Sequence, residues 1–454
     1  MSRRTITRAG LASLLGCVVL LSGCPQPTPD DTPGNSGLTG KYVGSETCSL
    51  CHKNVHDDWA ATLHAKALDN LEAIDQGSNP ACLLCHTTGF GQEGGFVSRN
   101  TTNALAGVGC ETCHGPSRDH VENVADAALR PPVNISSDIC SQCHNPFHHA
   151  LFGEWQASLH AVVTEHVAEE LVAGEAATSC GTCHSGDVRQ RMFVQNEAVP
   201  DNMLEGRDIA RLNAIECATC HDPHARTNRA FLPPEGHDFQ LRYAEVVPFP
   251  PASNVVSETT DPARFNLCGQ CHHDRGTTWV SGGRPSHHSI QSNFYVGEMP
   301  LPPGGSVLVP NQRTVHAFAP KQCVTCHMQR EVEEDVVSAI HANHSFTVLD
   351  FTGCSSIGCH PSPEGAQADM AALQAEVQAG LDAIAARLGD PATWEYTSAG
   401  GPDAAGQAAI PDVVKQVRFM YYWILNDGSL GVHNPEYARS IITQAGILLT
   451  SIGK

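Results

Sequence analysis

The helical spacing of apolar residues is clearest in the C-terminal part of the chain. Residues 366–388 are rich in alanine, repeat apolar positions with helical spacing and end before a glycine. Residues 412–426 repeat the pattern, and a third stretch, residues 434–452, opens with the helix-start signature Asn-Pro-Glu. The pattern predicts a helical segment at residues 363–454, which we expect to pack as a cap on the remainder of the protein.

An apolar stretch of another kind lies at the N-terminus. Residues 11–21 follow three arginines, the layout of a secretory signal peptide, and lead into Leu-Ser-Gly-Cys, which resembles the bacterial lipobox. We expect a signal peptide at residues 1–23, lipidation of Cys24 and a flexible linker at residues 24–40, which are rich in Pro, Gly, Thr and Asp. An ordinary secreted protein is the alternative. Because Pro25 follows the anchor, an exported lipoprotein of the outer membrane, on its periplasmic or cell-surface face, is favoured over the inner membrane.

Two short amphipathic patterns in the middle of the chain are near copies of each other. Residues 58–65 read DWAATLHA and residues 154–161 read EWQASLHA, an offset of 96 (154 − 58). Each copy predicts a short helix on which Trp and Leu, four positions apart, share a packing face and present the following histidine.

A cysteine motif dominates the same region. The pattern Cys-x-x-Cys-His occurs eight times; two thiols at this spacing can add to the vinyl groups on one edge of a haem, and the adjacent histidine then ligates the iron. Zinc sites and dithiol oxidoreductases also use Cys-x-x-Cys, but they explain neither the invariable histidine nor eight copies. The predicted thioether cysteines are Cys48, Cys51, Cys82, Cys85, Cys110, Cys113, Cys140, Cys143, Cys180, Cys183, Cys217, Cys220, Cys268, Cys271, Cys323 and Cys326. The predicted proximal ligands are His52, His86, His114, His144, His184, His221, His272 and His327.

A ninth motif has a longer spacer. Four residues separate Cys354 from Cys359, which is followed by His360, and Gly358 eases the bulge that brings both sulfurs to one porphyrin edge. A structural disulfide is the alternative. With this motif the sequence predicts nine haem c groups.

The haems must supply much of the interior. Residues 48–360 span 313 positions (360 − 48 + 1) for nine motifs, and aromatic residues make up only 6% of the chain. So short a length for each motif cannot enclose each haem in its own domain. We expect a mainly α fold with extensive loops, organised by covalent haems over residues 41–362, plus the C-terminal haem-free helical segment.

The motif spacing indicates an internal duplication. Cys48 to Cys140 is an offset of 92 (140 − 48), and Cys110 to Cys217 is an offset of 107 (217 − 110). A three-haem block is repeated, and the motifs beginning at 268, 323 and 354 form a degraded third block. The predicted blocks are approximately residues 41–135, 136–230 and 231–362.

Histidines exceed the number that the motifs use. Of 25 histidines, nine belong to motifs, so sixteen (25 − 9) are left as second axial ligands. Ligation by two histidines closes the iron and, relative to Met/His ligation, gives low potentials. The candidate distal ligands are His64, His160, His120, His224, His56, His149, His237, His288, His316, His341, His344 and His433.

The chain is strongly acidic. Its formal charge is −21, and removal of the signal peptide with its three arginines would make it −24 (−21 − 3). Such a charge excludes nucleic acid as a partner and favours basic redox proteins, cations or metal oxide surfaces, although solubility alone also explains it.

The residues around the first three motifs resemble a known family. The stretch from Tyr42 to His64, the second motif followed by Thr-Gly, and residues 109–120 resemble the cytochrome c-554 family of multihaem cytochromes. The resemblance covers residues 41–120 and implies distal-ligand roles for His64 and His120, with haems stacked in close pairs. Nine motifs and a lipobox depart from that family's small soluble member, so its partner and pathway do not carry over.

Later segments allow a second interpretation. The motifs at 217 and 323 and residues 431–438 are similar to the wider group of multihaem nitrite reductases, hydroxylamine oxidoreductases and octahaem tetrathionate reductases. The first hypothesis is therefore a membrane-tethered respiratory electron conduit that donates to other redox proteins, such as multihaem cytochromes, or to an extracellular acceptor. The alternative is a multihaem oxidoreductase that reduces a small nitrogen or sulfur oxyanion at one open haem. No Cys-x-x-Cys-Lys variant is present, and the sequence predicts no catalytic residue.

Overall fold

The computed structural model describes residues 38, 40–145, 151–226, 239–242, 267–300, 315–319, 322–332, 340–356 and 358–454. The predicted signal peptide, Cys24, most of the linker, His149 and His237 lie outside these residues. Within the described ranges, no helix is both long and apolar enough to cross a membrane. The predicted mainly α fold with extensive loops is confirmed.

The motif-bearing region is built from short helices. Among its described residues no α-helix is longer than eight residues: α1 (Ser45–Ser49), α2 (Lys53–Ala60), α3 (Ala67–Glu72), α4 (Pro80–His86), α5 (Arg99–Thr102), α6 (Cys110–His114), α7 (Arg118–Glu122), α8 (Asp138–Ser141), α9 (Leu151–Gln156), α10 (Glu165–Val172), α11 (Thr182–His184), α12 (Gly186–Arg189), α13 (Cys217–Cys220), α14 (Gln291–Val296), α15 (Cys323–His327) and α16 (Thr352–Ser356). Shorter 3-10 or π turns lie at Asn103–Leu105, Ala127–Leu129, Leu159–Ala161, Ala177–Gly181, Gln190–Val194, Ile209–Arg211, Cys268–Gln270 and Val315–Phe318. Helices this short are unstable alone, so the region depends on tertiary contacts.

One pair of strands follows α15. Strands β1 (Arg330–Val332) and β2 (Ile340–Ala342) pair antiparallel, with Arg330 opposite Ala342 and Val332 opposite Ile340. His344 lies two residues beyond the end of β2.

The C-terminal segment contains the long helices. They are α17 (Pro363–Leu388), α18 (Ala404–Ala409), α19 (Asp412–Asp427) and α20 (Pro435–Ser451), with 3-10 turns at Pro391–Thr393 and Thr397–Ala399. Helix α17 stops at Gly389, whose φ of 87° suits a helix end, and α20 starts at Asn434, whose side chain accepts from Tyr437 N at 3.2 Å. All three helices predicted from the sequence are confirmed.

These helices enclose a continuous apolar core. Its twenty buried residues come mainly from α17, α19 and α20, together with Ile290 and Phe294 at the start of α14. The amide of Asn434 also donates to the carbonyl oxygens of Phe294 and Tyr295, each at 3.2 Å. The helical segment therefore packs directly on the motif-bearing region.

In the described part of the motif-bearing region, the separate apolar clusters are small. One is formed by six buried residues, Tyr42, Leu68, Leu71, Leu83, Phe96 and Leu105. Another is formed by five, Val167, Leu171, Ala177, Val188 and Leu204.

The two copied segments make the same contacts. Trp59 Nε1 donates to Val108 O at 3.0 Å, and Val108 N donates to His64 O at 2.9 Å. The second copy repeats both contacts, from Trp155 Nε1 to Ile215 O (2.9 Å) and from Ile215 N to His160 O (3.0 Å). In each copy the backbone of the histidine is therefore hydrogen-bonded to the residue two positions before the third motif of its block.

One prediction for these segments is wrong. Helices α2 and α9 end at Ala60 and Gln156, before the leucine and histidine, and Leu63 and Leu159 are 47% and 88% exposed. The chain turns here because the hydroxyl of Thr62, and of Ser158 in the second copy, donates to the tryptophan carbonyl at 2.7 Å. Tryptophan and leucine therefore do not share a helical face.

Candidate metal centres

Each regular motif folds as a tight turn. The histidine N–H donates to the carbonyl of the first cysteine at 2.8 Å in the motif at Cys48 and at 2.9 Å in the motif at Cys140. The motif at Cys217 repeats the contact at 2.9 Å and that at Cys268 at 3.0 Å. Because residues three positions apart share one side of a helical turn, this geometry suits two sulfurs that must reach one ligand edge.

Most motif histidines have one ring nitrogen already engaged. The Nδ1 atoms face backbone carbonyls at His86 (Ala67 O, 3.1 Å), His114 (Pro132 O, 2.9 Å), His221 (Phe239 O, 2.6 Å) and His327 (Phe346 O, 3.0 Å). A carbonyl can only accept, so Nδ1 holds the proton and Nε2 keeps a lone pair for a metal.

Seven motif histidines face a second histidine across a constant gap. The ring centres are 6.0 to 6.4 Å apart in the pairs His144 with His64, His272 with His160, His114 with His224, His221 with His344, His184 with His287, His327 with His433, and His360 with His316.

This gap fits a metal ion between the rings. An imidazole nitrogen bonds a metal at about 2 Å and each ring centre lies about 1 Å behind its nitrogen, so two imidazoles on opposite sides of one metal have centres about 6 Å apart. Direct contact gives a shorter distance, as between His287 and His288, whose ring centres are 4.1 Å apart. Within the described ranges, no three or more His, Cys, Asp or Glu side chains gather as a metal site of protein ligands alone. The histidine pairs thus suit a haem iron, with the porphyrin nitrogens supplying the other ligands.

Several of the second histidines are also held through Nδ1. His316 Nδ1 faces Val432 O at 2.7 Å and His344 Nδ1 faces Ala342 O at 2.6 Å. His433 Nδ1 faces a carboxylate instead, Asp427 Oδ1 at 2.7 Å.

Burial keeps most of the paired imidazoles neutral. It lowers the pKa of His160 and of His221 to about 4 and that of His287 to about 3, with nearby positive groups adding to the effect. Neutral imidazole is the form that binds metal. For His433, burial lowers the pKa, but the charge and hydrogen bond of Asp427 outweigh it and raise the pKa above the usual value.

The other distal candidates do not lie opposite a motif histidine among the described residues. His56 contacts Trp59, with ring centres 5.5 Å apart, and His288 contacts His287. His120 is half-buried with its Nδ1 enclosed, and only the backbone of His341 is described, in β2. In the same described part of the chain, His52 and His86 have no second imidazole at the 6 Å spacing.

His287 was not among the candidates from the sequence. It stands beside His288, and the sequence alone gives no reason to prefer one over the other. His287 differs from His288 in that its ring faces His184, which is 103 positions earlier in the chain (287 − 184).

Cysteines of different motifs lie close to one another in a repeating order. Thiols of the first and third motifs of the first two blocks lie near enough to shift each other's pKa, in the pairs Cys48 with Cys110 and Cys140 with Cys217, and Cys268 and Cys323 do the same. Second motifs contact the next block's first motif, in the pairs Cys85 with Cys143 and Cys183 with Cys271. The motif at 323 also contacts the ninth, through Cys326 and Cys354.

The proximity of the motifs at 268 and 323 resembles that of the first and third motifs in the two earlier blocks. The division of the chain into three blocks stays a prediction.

The ninth motif has the features that its spacer requires. Gly358 has a φ of 76°, the left-handed conformation that a bulge needs, and Cys354 and Cys359 are not bonded to each other. His360 Nδ1 faces Asp369 Oδ2 at 3.3 Å, and its ring centre is 6.4 Å from that of His316.

Several known multihaem cytochromes are similar to this chain in sequence. A family model described as cytochrome c554 and c-prime matches residues 47–115. Cytochrome c-554 of Nitrosomonas europaea is 38% identical over 93 residues, which cover 17% of this chain and 40% of that protein. The cytochrome c-type protein NrfB of Escherichia coli is 30% identical over 181 residues, 38% of this chain and 81% of NrfB.

A solved structure shares the fold along most of the chain. The outer cell wall cytochrome OcwA superposes with a TM-score of 0.58 at 19% identity, covering 90% of this chain and all of OcwA. By contrast, the chain spans only two fifths of the length of cytochrome c-554.

Proposed function

Because the chain belongs to the multihaem c-type cytochromes, we propose that it is a membrane-tethered electron carrier, passing electrons through closely spaced haems to another redox protein or an extracellular acceptor. The observation that supports this most is the set of seven histidine pairs. A haem iron held by two imidazoles would have no free coordination position for a substrate.

We assign nine haem c groups to the nine motifs. Their cysteines form the thioether bonds, each motif histidine is the proximal ligand, and the seven facing histidines are the distal ligands. Bound haem supplies an iron that alternates between ferric and ferrous states. Nδ1 contacts hold both imidazoles in three pairs, His221 with His344, His327 with His433, and His360 with His316, which would limit rearrangement of the ligands on electron transfer.

The thiol contacts support a continuous path. One line is formed by the motifs that begin at residues 48, 110, 140, 217, 268, 323 and 354. Two contacts join the blocks along this line: Cys113 lies near Cys140, and Cys220 lies near Cys268. The motifs at 82 and 180 join this line as side branches, at 140 and 268. No motif is isolated from the others, as a carrier requires.

The tether and the location are part of the same proposal. They are supported by the signal-like residues 1–23 and the lipobox cysteine Cys24, with the net charge of −21 favouring basic redox partners or metal oxides. Outer-membrane attachment places the haem body outside the cytoplasm, where c-type haem is attached.

One observation favours the alternative function. His52 and His86 have no second imidazole at the 6 Å spacing among the described residues, and His52 is exposed. An iron with only a proximal histidine can bind a small nitrogen or sulfur oxyanion, which would make this protein a reductase.

Electron paramagnetic resonance of the oxidised haem-loaded protein distinguishes the two functions. Low-spin signals alone support the carrier. A stoichiometric high-spin signal that changes when nitrite or hydroxylamine is added would establish the reductase. The intact mass gives the haem number, and a value for eight haems would remove the ninth site.

Single variants test the ligand pairs. His160→Ala is expected to convert one haem, that of His272, to high spin. His166→Ala is the matched control, because the side chain of His166 is 81% exposed and faces Glu170 rather than a motif. An unchanged His160→Ala spectrum would contradict the pairing.

A further inference from the structure

The C-terminal helical segment contributes a buried carboxylate to one metal centre. Asp427 is the last residue of α19, its side chain is fully buried, and its Oδ1 lies 2.7 Å from His433 Nδ1. The ring of His433 faces that of His327 with centres 6.0 Å apart. Asp427, His433 and His327 therefore form a line that ends at the motif of Cys323 and Cys326.

Other paired histidines donate to neutral groups. Their Nδ1 partners are the carbonyls of Pro132, Phe239, Phe346, Val432 and Ala342, the hydroxyl of Ser289 and the amide oxygen of Gln291.

Among the described residues, two further carboxylates face the Nδ1 atom of a paired histidine, but in different surroundings. Asp369 is 3.3 Å from His360 and its side chain is 70% exposed. Asp222 is 3.7 Å from His224, is partly exposed and is also bound by Arg242 at 3.0 Å. Solvent and the arginine weaken the field of these two carboxylates at their histidines.

The surroundings of Asp427 keep its charge directed at His433. Among the described residues, its second oxygen accepts hydrogen bonds from Ser429 alone, through the hydroxyl and through the amide at 3.3 Å. Among the described residues no lysine or arginine forms an ion pair with it. The Ser429 hydroxyl also accepts from His433 N at 3.2 Å, which fixes the turn between helices α19 and α20.

We propose that Asp427 is a positioning residue that orients His433 and lowers the midpoint potential of the metal centre at His327. This inference rests on the proposed function, since it takes His433 as an axial ligand. A hydrogen bond from a ligand imidazole to a carboxylate increases the donor strength of the imidazole. A buried negative charge also stabilises the ferric state more than the ferrous state, because the ferric state has one more positive charge.

The test is a spectroelectrochemical titration of the full-length haem-loaded protein. In Asp427→Asn the carboxylate charge is lost while an acceptor oxygen of the same size stays. One fitted midpoint potential is expected to move in the positive direction while the others stay, and Asp427→Glu is expected to restore it. Asp369→Asn, which changes an exposed carboxylate at a ligand imidazole, is expected to move a potential by less than Asp427→Asn does.

A further variant tests the ligand assignment on which this inference rests. His433→Ala is expected to convert one haem to high spin; if all haems stay low spin, the ligand assignment of the proposed function fails. If His433→Ala behaves as expected but Asp427→Asn moves no potential, the role of Asp427 fails alone.

If the intact mass shows that Asp427→Asn does not carry its full number of haems, Ser429→Ala replaces it in the titration. This variant removes the hydroxyl that competes for the carboxylate, so the same potential is expected to move in the negative direction. No shift, or a positive one, would overturn the inference.

Discussion

The C-terminal helices and the motif-bearing region differ in how much apolar side chain each one buries. Helices α17, α19 and α20 share a core of twenty buried residues, whereas the apolar clusters around the first and second blocks contain six and five. The long helices are stabilised by the apolar side chains that they bury against one another. The short helices between motifs must obtain the remaining stabilisation from the covalent haems that we assign to them.

The largest expected effect comes from preventing haem attachment. When the chain is produced without the haem attachment machinery, we expect the described parts of residues 40–360 to lose most amide protection, because their helices are too short to persist alone. Amides of α17, α19 and α20 are expected to retain more protection. Hydrogen exchange read by mass spectrometry measures both regions together, with the haem-loaded protein as control. Equal loss in the two regions would contradict the comparison.

Two matched leucine substitutions give the next largest effect. Leu381 in α17 and Leu171 in α10 are both fully buried. We expect Leu381→Ala to cost near the top of the range of about 2–5 kcal/mol, since a large core leaves a cavity that cannot collapse, and Leu171→Ala to lie near the bottom. Denaturant unfolding of the haem-loaded variants measures both costs. A larger cost at Leu171 would mean that the small clusters are packed as tightly as the large one.

The same difference explains what could be predicted from the sequence. Helices α17, α19 and α20 were predictable because their caps, Pro positions and apolar spacing are local signals. The attachment motifs were equally local. The proposed histidine pairs are not, since His64 and His144 are 80 positions apart (144 − 64) and His160 and His272 are 112 apart (272 − 160).

Two particular failures have the same physical origin. The packing faces expected for Leu63 and Leu159 did not form because a side-chain hydroxyl ends each helix early. His287 was missed because its position depends on His184, in another block. Neither competing interaction has a periodic signature in the sequence.

Alkaline pH is expected to destabilise the C-terminal segment by a smaller amount. Burial raises the pKa of Tyr396 to about 12, although the nearby Arg418 opposes this. The folded protein thus keeps a proton that the unfolded chain loses near pH 10, so the stabilising contribution is complete below pH 10 and is lost as the pH rises to about 12. The expected loss is about 2 kcal/mol.

Unfolding curves at pH 9 and pH 12 would measure this loss, with hydrogen exchange separating the two regions. Tyr396→Phe is the control and should remove this part of the pH dependence. The comparison would be weakened if the motif-bearing region unfolded first at high pH.

The smallest expected effect tests whether the two copied segments are equivalent. Trp59→Phe removes the indole bond to Val108 O, and Trp155→Phe removes the matching bond to Ile215 O. A single hydrogen bond contributes about 1 kcal/mol net, so exchange of the Val108 amide, or of the Ile215 amide in the second copy, should accelerate by about fivefold. Trp394→Phe in the C-terminal segment, whose indole bonds Gly389 O at 3.0 Å, should change neither amide. Because both copies use the same pair of contacts to hold a histidine that faces the next block's first motif, their responses should match within experimental error. A response in only one copy would mean that the two tryptophan hydrogen bonds do not stabilise their segments equally.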